Sequence, residues 1–331
     1  MSPATLDTRK NISGFIISID NSTEEIWCIS SWWHLLLIES CAQHNHVGDC
    51  SRYFPFLVKQ TPSSLSFNLL LGGAAAVSPA LLEQKLFDLR QAAKTGFLVL
   101  LQERGKDDSS QALDAVQASV QLMEDSPYFN AGFGSSLTSL GEVEMDAIIA
   151  DGKRLDFGAI SSVTSFKNPV QVARSVLDCS EHCLFTAEGA QQFGQQQGIP
   201  LIERSQLVHK YAKVKKEKIH LIDLQSLHLI SQDRLEEFKT FNNAILCDHD
   251  EEKSSGDHDT VGAVAIDQFG NLAAGTSTGG ITGKQPGRVG DTPVIGSGAY
   301  ADNLVGAVST TGNLKGRPLL GATEYTTISN H

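Results

Sequence analysis

From about residue 69 onward, apolar runs of strand length interleave with longer stretches whose apolar residues recur at helical spacing. Leu69-Leu70-Leu71 ends in Gly72-Gly73, which predicts a short strand entering a small-residue turn. A helix is expected next: Ser78 suits its cap, Pro79 its first turn, and Leu82, Leu86 and Leu89 share one face. A second helix is predicted over 110–124, with Ala112, Ala115, Val116, Ser119 and Val120 turned inward and Pro127 breaking the pattern. Residues 145–150 and 158–163 read as strands, and helices are expected over 169–178 and 186–197, the first capped by Asn168. Further on, apolar runs at 261–266 and 272–277 flank Asp267-Gln268-Phe269-Gly270-Asn271, which is turn chemistry for a hairpin.

Two segments stand outside this rhythm. Residues 1–68 mix aromatic clusters with polar breaks, and no period persists, so they are read as an extension of unknown structure. Within it, the apolar stretch 27–38 is short and interrupted by Ser30, Ser31 and His34, too little to span a bilayer. The charged stretch 203–258 predicts a surface helix followed by a flexible linker. Residues 69–331 are then expected to form one domain.

Composition narrows the function classes. A chain of 331 residues, 41% hydrophobic and 19% charged with 29 glycines, is that of an ordinary soluble globular protein. Its net charge of −12 argues against nucleic acid as a partner, because no basic stripe is available to neutralise phosphates. The one basic cluster, between His209 and Lys218, reads as a solvated helix face. Six cysteines form no paired framework; Cys41, His44, His46 and Cys50 supply zinc-type ligands, but their spacing fits no standard finger. Reduced thiols and a cytoplasmic address are expected, since the first 15 residues carry no apolar signal core.

The chemistry concentrates near Thr260. It opens the apolar run Val261-Gly262-Ala263-Val264-Ala265, directly behind the polar segment from Asp248 to Asp259. If the Asp259–Thr260 bond breaks, Thr260 carries a hydroxyl and a free α-amine on one residue. An amine with a pKa of about 7.7–8.0 accepts the hydroxyl proton near neutrality, so nucleophile and base arrive together. Downstream, Thr276-Ser277-Thr278 runs into Gly279-Gly280, where backbone can approach a ligand closely. Arg288 and Asp291 sit among glycines in Gly287-Arg288-Val289-Gly290-Asp291, a pair suited to a substrate's carboxylate and ammonium. Taken alone, the two read as an exposed ion pair on a loop.

These motifs, with Ala299-Tyr300-Ala301-Asp302-Asn303, Phe129-Asn130-Ala131-Gly132-Phe133-Gly134-Ser135 and Gly141-Glu142-Val143-Glu144-Met145-Asp146-Ala147, resemble the plant-type L-asparaginases and isoaspartyl peptidases, a branch of the N-terminal nucleophile hydrolases. The resemblance spans roughly residues 71–312. It implies an α+β four-layer αββα sandwich, with 69–259 and 260–331 as its two chains after self-cleavage. It implies hydrolysis of asparagine and of β-aspartyl peptides by Thr260, oriented by Thr278. Arg288 and Asp291 would hold the substrate's α-carboxylate and α-amine, Thr311 and Gly312 would form the oxyanion hole, and Asn130 and Gly280 would line the site. No cofactor is implied beyond a structural sodium ion on the main-chain carbonyls of Met123, Glu124, Ser126, Phe129, Ala131 and Phe133. The implied assembly is a homodimer of cleaved protomers.

The sequence departs from the family pattern in three places. Leu71 stands where relatives carry a histidine, Asn313-Leu314 replaces a glycine-bearing run after Gly312, and His331 falls about 80 residues short of the domain size expected from the resemblance. A C-terminally incomplete sandwich is the expectation. A glycosylasparaginase-like amidase and an inactive truncated relative are the alternatives.

Overall fold

The structure is a computed structural model and describes residues 14–20, 24–29, 66–73, 79–103, 111–226, 231–233, 260–311 and 324–329. The possible zinc ligands Cys41, His44, His46 and Cys50, together with Asp259 and Gly312, lie outside these residues. Among the described residues eight strands form one mixed sheet. They are β1 (Gly14–Asp20), β2 (Glu24–Ile29), β3 (Phe67–Gly72), β4 (Met145–Asp151), β5 (Asp156–Val163), β6 (Leu184–Thr186), β7 (Val261–Ile266) and β8 (Leu272–Thr278), in spatial order β2-β1-β3-β7-β8-β4-β5-β6. All neighbours are antiparallel except β5 and β6. A second sheet stacks β9 (Ala299–Asp302), β10 (Gly306–Thr311) and β11 (Glu324–Ser329) in the order β11-β10-β9.

The strand pattern explains the layering. β7 reads Val-Gly-Ala-Val-Ala-Ile, apolar at every position, because both its faces are covered. Val261, Ala263 and Ala265 join Leu70 in a core cluster beneath the helices. Val264 and Ile266 join Leu69, Leu71, Ala299 and Ala307 in a second cluster between the sheets. The period of two in β3 and β7 thus sorts side chains into two separate cores. Leu71, the departure from the family pattern, is fully buried in the inter-sheet cluster opposite Gly262. Gly262 lets the second sheet close in, since a Cβ there would meet Ser309 Oγ at 1.9 Å.

The helices cover the other face of the large sheet. They are α1 (Pro79–Leu100), α2 (Gln111–Asp125), α3 (Pro169–Cys179), α4 (Ala187–Gln196), the single turn α5 (Arg204–Leu207) and α6 (Lys210–Ser226). The expected inward residues of α2, Ala112, Ala115, Val116, Ser119 and Val120, are all buried. Long-range polar side chains fasten these helices. Asn68 of β3 donates to Ala93 O at 3.2 Å and to Ser119 Oγ at 2.9 Å, tying sheet, α1 and α2 at one point. Gln111 donates to the Leu100 and Gln102 carbonyls at 3.1 and 2.8 Å, satisfying acceptors that the end of α1 leaves open.

The start of α3 differs from expectation. Asn168 precedes it, but its side chain donates to Gln121 O and to Asp125 Oδ1. The cap comes from Glu124, whose carboxyl accepts the Val170 N–H at 3.0 Å. Burial pushes the Glu124 carboxyl up to about 8. Another finding falls inside the extension of unknown structure, where β1 pairs with both β2 and β3 and so continues the large sheet.

Among the described residues, helices, large sheet and second sheet make three layers, and they place the end of β8 and the start of β7 side by side.

Candidate active site

β7 and β8 pair with Val261 opposite Ser277, so Thr260 falls opposite Thr278 at the end of the ladder. Both threonines are buried, at 7% and 3% exposure. The Thr260 hydroxyl donates to Thr278 Oγ1 at 3.0 Å. The same Thr278 oxygen accepts the Gly280 N–H at 3.0 Å, so the bend after β8 is held by the group that touches Thr260.

Asn130 reaches this bend from the loop after α2. Its Nδ2 donates to Gly280 O at 2.6 Å, its Oδ1 accepts Ser136 N–H at 2.7 Å, and its carbonyl accepts Gly279 N–H at 2.9 Å. Two of these bonds fix Gly279-Gly280, and the third ties Asn130 to its own loop. Gly280 has φ +73°, which favours glycine, and its missing side chain leaves space toward Arg288 Nη1, 3.2 Å from where a Cβ would stand.

Arg288 and Asp291 are partly buried on the following loop. No ion pair between them occurs, and Asp291 Oδ2 has no hydrogen-bond partner, which sets aside the exposed ion pair. Burial is the main cause that pushes the Asp291 carboxyl up to about 6, against the pull of nearby Arg288. A cationic and an anionic group that do not pair with each other suit a zwitterion arriving between them.

Thr311 ends β10 and is 1% exposed. β10 is held to the large sheet by a 2.6 Å contact between the Ser309 and Thr276 hydroxyls, and Thr311 shares the Ser309 face of the strand.

The profile of one family, described as asparaginase, matches residues 68–317. The isoaspartyl peptidase/L-asparaginase of Bos taurus is 45% identical over 242 residues, covering 73% of this chain and 69% of that protein. The proteins of the same name from Danio rerio and Homo sapiens are each 42% identical over 242 residues, covering 73% of this chain and 68% and 69% of theirs. This chain belongs to the asparaginase family.

In this asparaginase-family chain, two further residues border the site: Asp146, which lies within a quoted motif but has no role assigned from sequence, and Lys284, which lies in none of the motifs. Asp146 lies opposite Thr278 on the other side of β8 and is fully buried. Its Oδ1 accepts Ser161 Oγ–H at 2.8 Å and Ser162 N–H at 3.0 Å, while its Oδ2 has no partner. Thr260, Thr278 and Asp146 thus form one row across three strands. Lys284, four residues after Gly280, is 3% exposed and donates to Glu144 O at 2.7 Å. Burial lowers its pKa, opposed by the charges of Asp146 and Glu144.

The carbonyl set expected for sodium lies where α2 gives way to the Asn130 loop. Met123 O accepts Ser126 N–H and Ala131 O accepts Gly134 N–H. A Cβ at Gly132 would meet Glu124 O at 2.3 Å, and one at Gly134 would meet Phe129 O at 2.0 Å. Glycines thus let the loop's main chain pack closely against these carbonyls, and carbonyl oxygen is the donor chemistry that a hard cation takes. No cluster of three or more His, Cys, Asp or Glu that could hold a metal occurs among the described residues. Cys179 and Cys183 are exposed free thiols, and no helix among the described residues is long and apolar enough to cross a membrane.

Proposed function

We propose that this protein hydrolyses the side-chain amide of L-asparagine and of β-aspartyl peptides, with Thr260 as nucleophile after self-cleavage behind Asp259. The observation that carries this reading is the 3.0 Å bond between the buried hydroxyls of Thr260 and Thr278, beside an Arg288 and an Asp291 that do not pair with each other. The names of the relatives support the substrate class.

In this reading Arg288 takes the substrate's α-carboxylate and Asp291 its α-ammonium, which delivers the side-chain amide to Thr260. The free α-amine of Thr260 accepts the hydroxyl proton while Oγ1 bonds to the amide carbon. The Thr311 hydroxyl and the Gly312 N–H stabilise the oxyanion. The C–N bond then breaks, and ammonia or a peptide amine leaves with the proton. Water hydrolyses the ester on Thr260 and releases aspartate. A sodium ion on the carbonyls of Met123, Glu124, Ser126, Phe129, Ala131 and Phe133 would fix the loop that carries Asn130. The proposal includes an N-terminal nucleophile hydrolase fold whose fourth layer completes αββα, a homodimer of cleaved protomers and a cytoplasmic address.

Intact-mass measurement with N-terminal sequencing tests the reading. Fragments 1–259 and 260–331 are expected, the second beginning Thr-Val-Gly-Ala, together with ammonia release from asparagine. A persistent intact chain that releases no ammonia rejects it.

The elevated Asp291 carboxyl adds a pH dependence. Asp291 is anionic above about 6 and neutral below it, so ammonium binding is lost as pH falls through that value. The inhibition constant of L-aspartate is expected to worsen about tenfold per pH unit below the inflection. An inflection near 4, the ordinary carboxylate range, would place the ammonium elsewhere.

A further inference from the structure

Resting on the function proposed above, we propose that Lys284 is a second cation of the subsite that takes the substrate's α-carboxylate. The Lys284 Nζ and the Arg288 Nη1 stand 3.0 and 3.2 Å from the point where a Gly280 Cβ would be. Both cationic heads therefore converge on the side of one glycine that lacks a side chain, the Lys284 stem lying along it with Cδ also 3.0 Å from that point, and the heads stand within about 6 Å of each other, where like charges repel. No ion pair to either group occurs among the described residues. The nearby carboxylates Asp146 and Glu144 act on Lys284 only through their field.

Burying an ammonium next to a guanidinium costs free energy unless an anion joins them. Among the described residues the main-chain oxygen of Glu144 occupies one of the three Lys284 donors, which leaves two for a ligand. A carboxylate over Gly280 meets both heads, and its second oxygen satisfies the Arg288 fork. Gly280 is then required twice: its φ of +73° disfavours other residues, and any side chain would occupy the ligand's place.

The competing role is a staple. Lys284 Nζ bonds Glu144 O, Gly287 N–H bonds Glu144 Oε2 at 2.8 Å, and Ser139 N–H bonds Lys284 O, so the residue also pins the 280–288 loop to the start of β4. A staple needs a donor on Glu144 O but no charge aimed at Gly280.

Calorimetric titration of the full chain with L-aspartate and with its α-amide separates the two roles, because these ligands differ only at the α-carboxyl group. Wild type is expected to prefer aspartate. In Lys284→Gln, which keeps a donor for Glu144 O without the charge, aspartate binding should weaken about 10- to 100-fold while α-amide binding changes little. Lys284→Arg should retain the preference. Equal weakening of both ligands, or of neither, overturns the proposal. Should Lys284→Gln lose the native circular-dichroism spectrum, Lys284→Met carries the same comparison. Wild-type protein that binds neither ligand rejects the hydrolase reading as well. Aspartate binding that is intact in Lys284→Gln, with hydrolysis retained, rejects this inference alone.

Discussion

Thr260→Ala is expected to yield an intact chain of 331 residues whose asparagine hydrolysis is at least about 10⁴-fold below wild type. The substitution removes the single oxygen that serves both the self-cleavage and the substrate attack. Its structural cost is small: the side chain is nearly buried and loses one hydroxyl bond to Thr278, worth about 1 kcal/mol. The melting temperature should accordingly shift by only a few degrees. Mass spectrometry reads the cleavage, and ammonia release reads the hydrolysis. Cleavage or turnover surviving in this variant would mean that another residue attacks.

The next largest loss is expected from Thr278→Val, which keeps the side-chain shape and deletes the oxygen. That oxygen accepts both the Thr260 hydroxyl and the Gly280 N–H. Without it the nucleophile loses its orientation, and a buried N–H is left without a partner, at a cost of about 1–3 kcal/mol. We expect kcat to fall about 10²-fold, with a smaller rise in KM because Arg288 and Asp291 remain. Thr278→Ser should recover most of the rate. A Thr278→Val enzyme with wild-type kcat would remove Thr278 from the machinery.

How far the site was legible depended on how locally each residue acts. Thr260 and Thr278 stand at the ends of two apolar runs joined by a recognisable turn, so one hairpin register brings them together. Arg288 and Asp291 were visible as opposite charges between glycines, but only the fold shows that they do not pair. Asp146 and Lys284 carry no local signal of their role. Asp146 acquires its place from strand pairing, and Lys284 from a bond spanning 140 residues. The α3 cap was misread for the same reason: Asn168 has the right chemistry in the right place, yet Glu124 takes the bond from 46 residues away. The helices and the two-sided apolar strands were plain from periodicity. The pairing of β1 and β2 with the sheet was not, because no lasting period runs through residues 1–68.

The hairpin of β7 and β8 is inserted between β3 and β4, both of which precede Thr260 in the chain. A cut at residue 259 would therefore leave the downstream piece zipped into its partner along both flanks, six paired positions on each side. The two pieces should travel as one particle through gel filtration and come apart only in denaturant. Maturation would release a terminus without releasing a fragment.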